Sequence, residues 1–231
     1  MSRHVVTGAT SGMGAAVVDR LVARGDEVVL VARDESRADA LRSSYDGAQV
    51  VVGDLADPGT LNGLGRQVDG PVHSLLHVAG TVELGSVARL RLQDWEQQLA
   101  VNLLAPAVLT RELLPHLREA RGTVVFVNST SGLSASAQWS GYAASKFGLR
   151  ALADVLRAEE AEHGVRVTSL YPSRTATPMQ EKVHAQEGRD YDPAEWISVD
   201  SVADAVLHVV DLPRDATITD LTVRPGPGLG R

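Results

Sequence analysis

The chain contains no cysteine. That excludes disulfides, thiolate-held metals and cysteine nucleophiles together. Lysine is almost as scarce: of 22 lysines and arginines, only Lys146 and Lys182 are lysine. No apolar run approaches the roughly 20 residues that a membrane-crossing helix needs. The net charge of −7 argues against nucleic acid or an anionic membrane as a partner. The histidines (His4, His73, His77, His116, His163, His184 and His208) show no ligand spacing with a carboxylate partner, so no metal site is expected. No basic segment followed by an apolar one opens the chain, which predicts no signal peptide and a cytoplasmic location. Its 231 residues, 44% of them hydrophobic, predict one soluble globular domain over 1–231.

What is present is a regular alternation of strand and helix patterns. Short β-branched or aliphatic runs read as buried strands at 4–6, 27–32, 49–52, 74–78, 123–127, 165–170 and 217–223. The run Glu27–Ala32 is apolar on both faces, as a parallel sheet requires. Helical patterns fall between them: 13–24 ending at Gly25, 34–42, a weak one near 58–68, a long apolar one at 93–118, another at 142–163 capped by Gly164, and 199–211. Pro106 is expected to kink the first long helix. The pattern predicts a Rossmann-type α/β fold, a doubly wound parallel sheet of about seven strands with helices on both faces. Ligands of such sheets bind beyond the C-terminal strand ends, at the switch point of strand order.

Two stretches at those ends carry chemistry. Thr7-Gly8-Ala9-Thr10-Ser11-Gly12-Met13-Gly14 lies between strand and helix. Its glycines permit a tight turn and close approach of a pyrophosphate, and the helix N-terminus supplies oriented N–H groups. The motif alone reads equally as plain turn geometry. The second stretch, Ser129 to Lys146, follows an uncharged strand and ends in Tyr142 and Lys146, four residues apart. That spacing puts a phenol and an amine on one helix face. A solvated position in this arginine-rich chain would ordinarily carry arginine, whereas a compact rotatable donor gives a reason to keep lysine.

Thr7-Gly-x-x-x-Gly-x-Gly14, Asp54, Asn102, Ser129 and Tyr142-x-x-x-Lys146 occur in an order, and on elements, that resemble the short-chain dehydrogenase/reductase superfamily over residues 3–225. The resemblance implies a catalytic tetrad of Asn102, Ser129, Tyr142 and Lys146. Ser129 is preferred to Ser131 because the family serine lies thirteen residues before the tyrosine and three before a glycine, here Gly132. Tyr142 would then exchange a proton with a carbonyl oxygen as hydride is transferred. A neighbouring ammonium and an oxidised nicotinamide would lower its pKa. Ser129 would hydrogen-bond the substrate oxygen, and Asn102 would hold a water in a proton path from Lys146.

The resemblance also implies a dinucleotide held by Gly8, Thr10, Ser11, Gly12, Met13, Gly14, Ala79, Gly80, Tyr142, Lys146, Pro172, Thr175 and Thr177. Asp54-Leu55 resembles the family's adenine-contacting pair, although Asp54 reads equally as a helix N-cap. At the end of the second strand Ala32 stands where NAD-binding members carry a carboxylate, and Arg33 follows. A guanidinium there suits a 2′-phosphate, so NADP(H) is expected before NAD(H); the competing reading pairs Arg33 with Asp34. Two positions depart from the family. His77-Val78-Ala79-Gly80 replaces Asn-Asn-Ala-Gly, with His77 read as a packed strand residue, and Pro172-Ser173 replaces Pro-Gly. The expected activity is reversible reduction of a small carbonyl substrate to an alcohol. A silent NADP(H)-binding sensor is the rival. A substrate crevice is expected between Ser129, Trp139 and loop 173–197, with Met179 and Trp196 as candidate lid residues. Helices 93–118 and 142–163 are expected to pair subunits in a homodimer or homotetramer.

Overall fold

In the computed structural model, which describes residues 1–229, seven strands form one sheet. They are β1 (Arg3–Thr7), β2 (Glu27–Ala32), β3 (Gln49–Val52), β4 (Ser74–His77), β5 (Thr123–Val127), β6 (Arg166–Pro172) and β7 (Asp220–Val223). Their order is β3-β2-β1-β4-β5-β6-β7, and every neighbouring pair is parallel. The order runs outward from β1 through β3, then restarts at β4 on the other side. The switch point therefore lies between β1 and β4, which sets the crevice beyond Thr7 and His77. The expected fold class is the one observed. Gly230 and Arg231, at the end of the expected Gly/Pro tail, lie outside the described residues.

Strand residues alternate between two cores because side chains switch faces at every step. Val6, Leu30, Leu76, Val125 and Leu170 face one layer, packed by α1 (Gly12–Ala23), α2 (Glu35–Ser44) and α7 (Val199–Asp211). Val5, Val29, Leu75, Val124, Phe126 and Val167 face the other, packed by α4 (Ala105–Ala120) and α5 (Ser140–Glu160). Valine and leucine fill both faces of the central strands because helices cover both.

The long helix expected at 93–118 is not continuous. It comprises α3 (Leu92–Leu99), a π turn (Ala100–Leu104) and α4. The amide of Ala105 bonds the carbonyl of Ala100, five residues back. Pro106 has no N–H to offer the Asn102 carbonyl, so the α pattern fails there. The irregularity thus begins before the proline expected to cause it, and Asn102 sits at its centre. Within the segment 173–197 the chain forms α6 (Pro178–Glu187), whose N-cap is Thr177 and whose end is Gly188 at φ +66°. The last strand is shorter than expected, starting at Asp220 rather than Thr217. Among the described residues no helix is long and apolar enough to cross a membrane, and no cluster of metal-ligating side chains occurs.

Candidate active site

The turn after β1 is built so tightly that two positions accept only glycine. Gly8 has φ +80°, and a Cβ there would lie 2.8 Å from the Ala79 amide nitrogen. A Cβ on Gly14 would lie 2.1 Å from the Gly8 carbonyl oxygen. Thr7 ties the turn to β4: its hydroxyl accepts the amides of Val78 and Ala79 at 3.1 and 3.2 Å. Ser11 is the N-cap of α1, yet its hydroxyl makes no capping bond. The helix therefore starts with free N–H groups facing the turn. Gly8, Thr10, Ser11, Gly12, Met13, Gly14, Ala79, Gly80 and Thr177 line a common cleft of about 270 Å³.

The polar constellation stands next to that cleft, beyond β5. Ser129 leaves the strand in extended geometry and accepts the Ser131 amide at 3.1 Å. Tyr142 lies in the first turn of α5, buried, with Trp139 against its ring edge at 5.7 Å. Lys146 follows one turn later and is also buried, its Nζ 5.7 Å from the Tyr142 ring centre. The amine donates to the Val127 carbonyl at 3.0 Å. Asn102 grips the loop after β4 from the π turn: Oδ1 accepts the Thr81 amide and Nδ2 donates to the Thr81 carbonyl, both at 2.9 Å. The same Nδ2 reaches Ser145 Oγ at 3.0 Å, and Ser145 in turn donates to the Tyr142 carbonyl at 2.7 Å. A Cβ on Gly80 would sit 3.4 Å from Asn102 Oδ1 and 3.8 Å from Lys146 Nζ. The loop, the amide and the amine are thus in direct register.

Burial dominates the electrostatics here. It pushes the Tyr142 phenol up to about 12, with the neighbouring Ser129 hydroxyl opposing the shift. It brings the Lys146 amine down to about 7. Burial and the Ser129 hydroxyl set the Tyr142 shift, and no lowering by the Lys146 ammonium is seen in the chain itself. The phenol is a proton carrier at neutral pH, and the amine is poised to gain or lose its charge there.

A second cavity, of about 350 Å³, joins these groups to the segment after β6. Ser129, Tyr142 and Trp139 line one side; Pro172, Thr175, Thr177 and Met179 line another. Trp196 borders an adjoining hollow instead. Lys146 and Asn102 do not reach either cavity wall and sit behind Tyr142 and Gly80. Three expected positions stand apart from both cavities. Arg33 is exposed and pairs through Nε with Asp34 Oδ2 at 3.0 Å. Asp54 accepts the Ala56 amide in a local turn and caps no helix, and Leu55 packs on the lower core. His77 is the packed residue expected. It stacks on Phe126 at 5.0 Å and bonds Thr110 through Nε2 at 2.9 Å.

Some lining residues were not anticipated. Asn128 is buried, donates to the Lys146 carbonyl at 3.1 Å and leaves its own Oδ1 without a partner. The available signal was an amide directly after a wholly apolar strand. Arg174 and Arg224, which line the same cavity, carried no local pattern.

Comparison with known proteins places these observations in context. The model of a family described as short chain dehydrogenase matches residues 3–188. An uncharacterized oxidoreductase of Staphylococcus epidermidis is 27% identical over 226 residues, covering 96% of each chain. A short-chain dehydrogenase from Sphingobium yanoikuyae in complex with NADPH is 28% identical, with a TM-score of 0.79 over 95% of this chain and 87% of that one. An alcohol dehydrogenase from Thermococcus sibiricus, complexed with 5-hydroxy-NADP, has a TM-score of 0.86 at 22% identity over 100% and 99% of the chains. A 4-hydroxyisoleucine dehydrogenase complexed with NADH is similar in fold, with a TM-score of 0.84 at 23% identity over 100% of both chains.

Proposed function

Because the chain belongs to the short-chain dehydrogenase family and is an oxidoreductase by that membership, we propose that it interconverts a small carbonyl compound and its alcohol with NADP(H), using Tyr142 as the acid and base. One observation carries the reading: a buried phenol with a serine hydroxyl beside it lines a cavity, and a buried amine lies one helical turn behind. The cleft at Gly8, Gly12 and Gly14 fits a dinucleotide, since Gly8 and Gly14 let the turn close tightly on its own backbone and the α1 N–H groups are uncapped. A dinucleotide bound there would supply the hydride chemistry.

The chain's own residues supply the rest. Tyr142 holds a proton at its phenol oxygen throughout the neutral range and releases it to a carbonyl oxygen that becomes an alcohol. Ser129 orients that oxygen and stabilises charge developing on it. Lys146, with a pKa near neutrality, returns a proton to the phenol, and Asn102 holds the Thr81 loop that closes the site. Arg33 offers both terminal guanidinium nitrogens to a 2′-phosphate, since only Nε is taken by Asp34; this supports NADP(H) over NAD(H). Asp54 and Leu55 would flank the adenine, and Pro172, Thr175 and Thr177 the nicotinamide end. The whole chain acts as one cytoplasmic domain. Leu104, Phe147 and Val155, exposed on the π turn and α5, support pairing of subunits through these helices.

The test is a panel of aldehydes and ketones with NADPH, comparing wild type with Tyr142→Phe. Loss of the proton donor is expected to lower kcat by about 10²–10⁴, with NADPH binding by fluorescence titration retained. Equal turnover by the two proteins would refute the assignment. Tight NADPH binding without turnover of any substrate would favour a sensor.

A further inference from the structure

The walls of the proposed substrate cavity carry charge of one sign. In a chain with 29 acidic and 22 basic residues, no carboxylate lines the cavity or the hollow that adjoins it, among the described residues. Three arginines do. Arg174 and Arg224 line both spaces, and Arg189 lines the outer one. The two spaces share Ser173, Arg174 and Arg224, so they adjoin, with Ser129 and Tyr142 on the wall of the inner one.

The three guanidiniums have different surroundings. Arg174 is fixed: Nη1 and Nη2 donate to Glu187 at 2.8 and 2.5 Å. Its guanidinium also lies 5.7 Å from the Trp139 ring centre and 5.5 Å from that of Trp196. Its charge is matched and its role is to brace the wall. Arg189 and Arg224 are exposed and, among the described residues, have no carboxylate within 4.0 Å. Their backbones are nevertheless held. The Arg189 amide bonds the His184 carbonyl at 2.9 Å, closing the end of α6. Arg224 directly follows β7, where the Ser173 amide bonds the Val223 carbonyl at 2.9 Å. Two guanidiniums without a carboxylate partner among the described residues thus border the hollow that adjoins the cavity holding the phenol.

We propose that Arg189 and Arg224, braced by Arg174, form an anion subsite, so that the substrate is an oxo or hydroxy compound bearing a carboxylate or phosphate remote from the reacting carbon. This rests on the oxidoreductase reading of the same cavity. Guanidinium forks match both oxyanions. Solvent at the rim limits each contact, so the subsite adjusts substrate binding more than the chemical step.

The decisive experiment compares charged and neutral partners. NADPH-dependent reduction of 5-oxopentanoate is measured against its methyl ester, and of glyceraldehyde 3-phosphate against glyceraldehyde. The expected result is a KM about tenfold or more lower for the anionic member of at least one pair; which pair shows it identifies the oxyanion. In an Arg189→Gln/Arg224→Gln double variant the KM ratio is expected to collapse to about one, and added salt should erode it in wild type. A ratio near one in wild type for both pairs, or a ratio unchanged in the variant, overturns the subsite while leaving the oxidoreductase reading intact. If no member of either pair is reduced, calorimetric titration of the protein with glutarate and with its diamide decides. Preferential glutarate binding that is lost in the variant supports the subsite, and absence of that preference rejects it.

Discussion

His77 makes the crevice acid-sensitive in a way that can be calculated. It lies fully within the sheet at the end of β4, stacked on Phe126 and bonded to Thr110. Burial lowers its pKa from 6.5 to about 3. Because the folded value is below the unfolded one, the unfolded chain takes up the proton first as pH falls. The stabilisation is complete above the unfolded pKa and is lost progressively as pH falls towards the folded one. Between pH 7 and pH 4 this single residue should remove on the order of 3 kcal/mol from folding stability. Urea unfolding at pH 7, 5.5 and 4 should show it when wild type is set beside His77→Asn, which carries an amide that does not titrate. The variant forfeits the ring stack, worth about 0.5–1.5 kcal/mol, and should be the weaker protein at pH 7. It should lose much less than wild type on acidification, so the two stability profiles converge or cross. His4, also lowered by burial, to about 4, contributes equally to both proteins and cancels. Parallel losses between pH 7 and pH 4 would refute the reasoning. Since His77 is two residues before Ala79, its protonation should open the wall of the glycine cleft.

Two further outcomes are expected. Arg33→Ala should weaken NADPH binding by about tenfold or more, the scale of one charge-assisted guanidinium–phosphate contact. NADH affinity should change little, and an equal loss for both cofactors, read by fluorescence titration, would count against the 2′-phosphate role. Gly14→Ala must displace the Gly8 carbonyl that its Cβ would approach to 2.1 Å. Overpacking of about 1–3 kcal/mol should lower the melting temperature by roughly 2–12 °C, and NADPH binding should fall with it; an unchanged melting curve would show that the turn relaxes freely.

The layers were legible because both faces of the sheet are covered, so the central strands carry short apolar runs such as 28–32 and 124–127 that a linear reading detects. Tyr142 and Lys146 were legible because a four-residue spacing has one meaning on a helix. Other features depend on contacts that no local pattern encodes. The break in the long helix was attributed to Pro106, but it is centred on Asn102, whose amide is bonded to Thr81, 21 residues away in sequence. The upward shift of Tyr142 in the chain itself follows from how completely the fold buries the phenol, which no local pattern encodes. Arg174 and Arg224, just beyond β6 and β7, line one cavity only once the sheet has formed. Arg33 pairs with Asp34, the reading set against its phosphate role, and a neighbour in sequence is the one contact a linear reading can supply.

The grip of β5 on Lys146 carries a consequence for motion. Val127 accepts the amine and Asn128 holds the backbone carbonyl of the same residue, so two consecutive positions at the end of a buried central strand hold Lys146 by side chain and by backbone. Losing both contacts together requires the end of β5 to part from α5. Such an opening belongs to the slowest, near-global unfolding events of a protein rather than to loop fluctuation. The cavity mouth, formed by exposed segments, can breathe on fast timescales while the interior geometry beneath it stays unaltered.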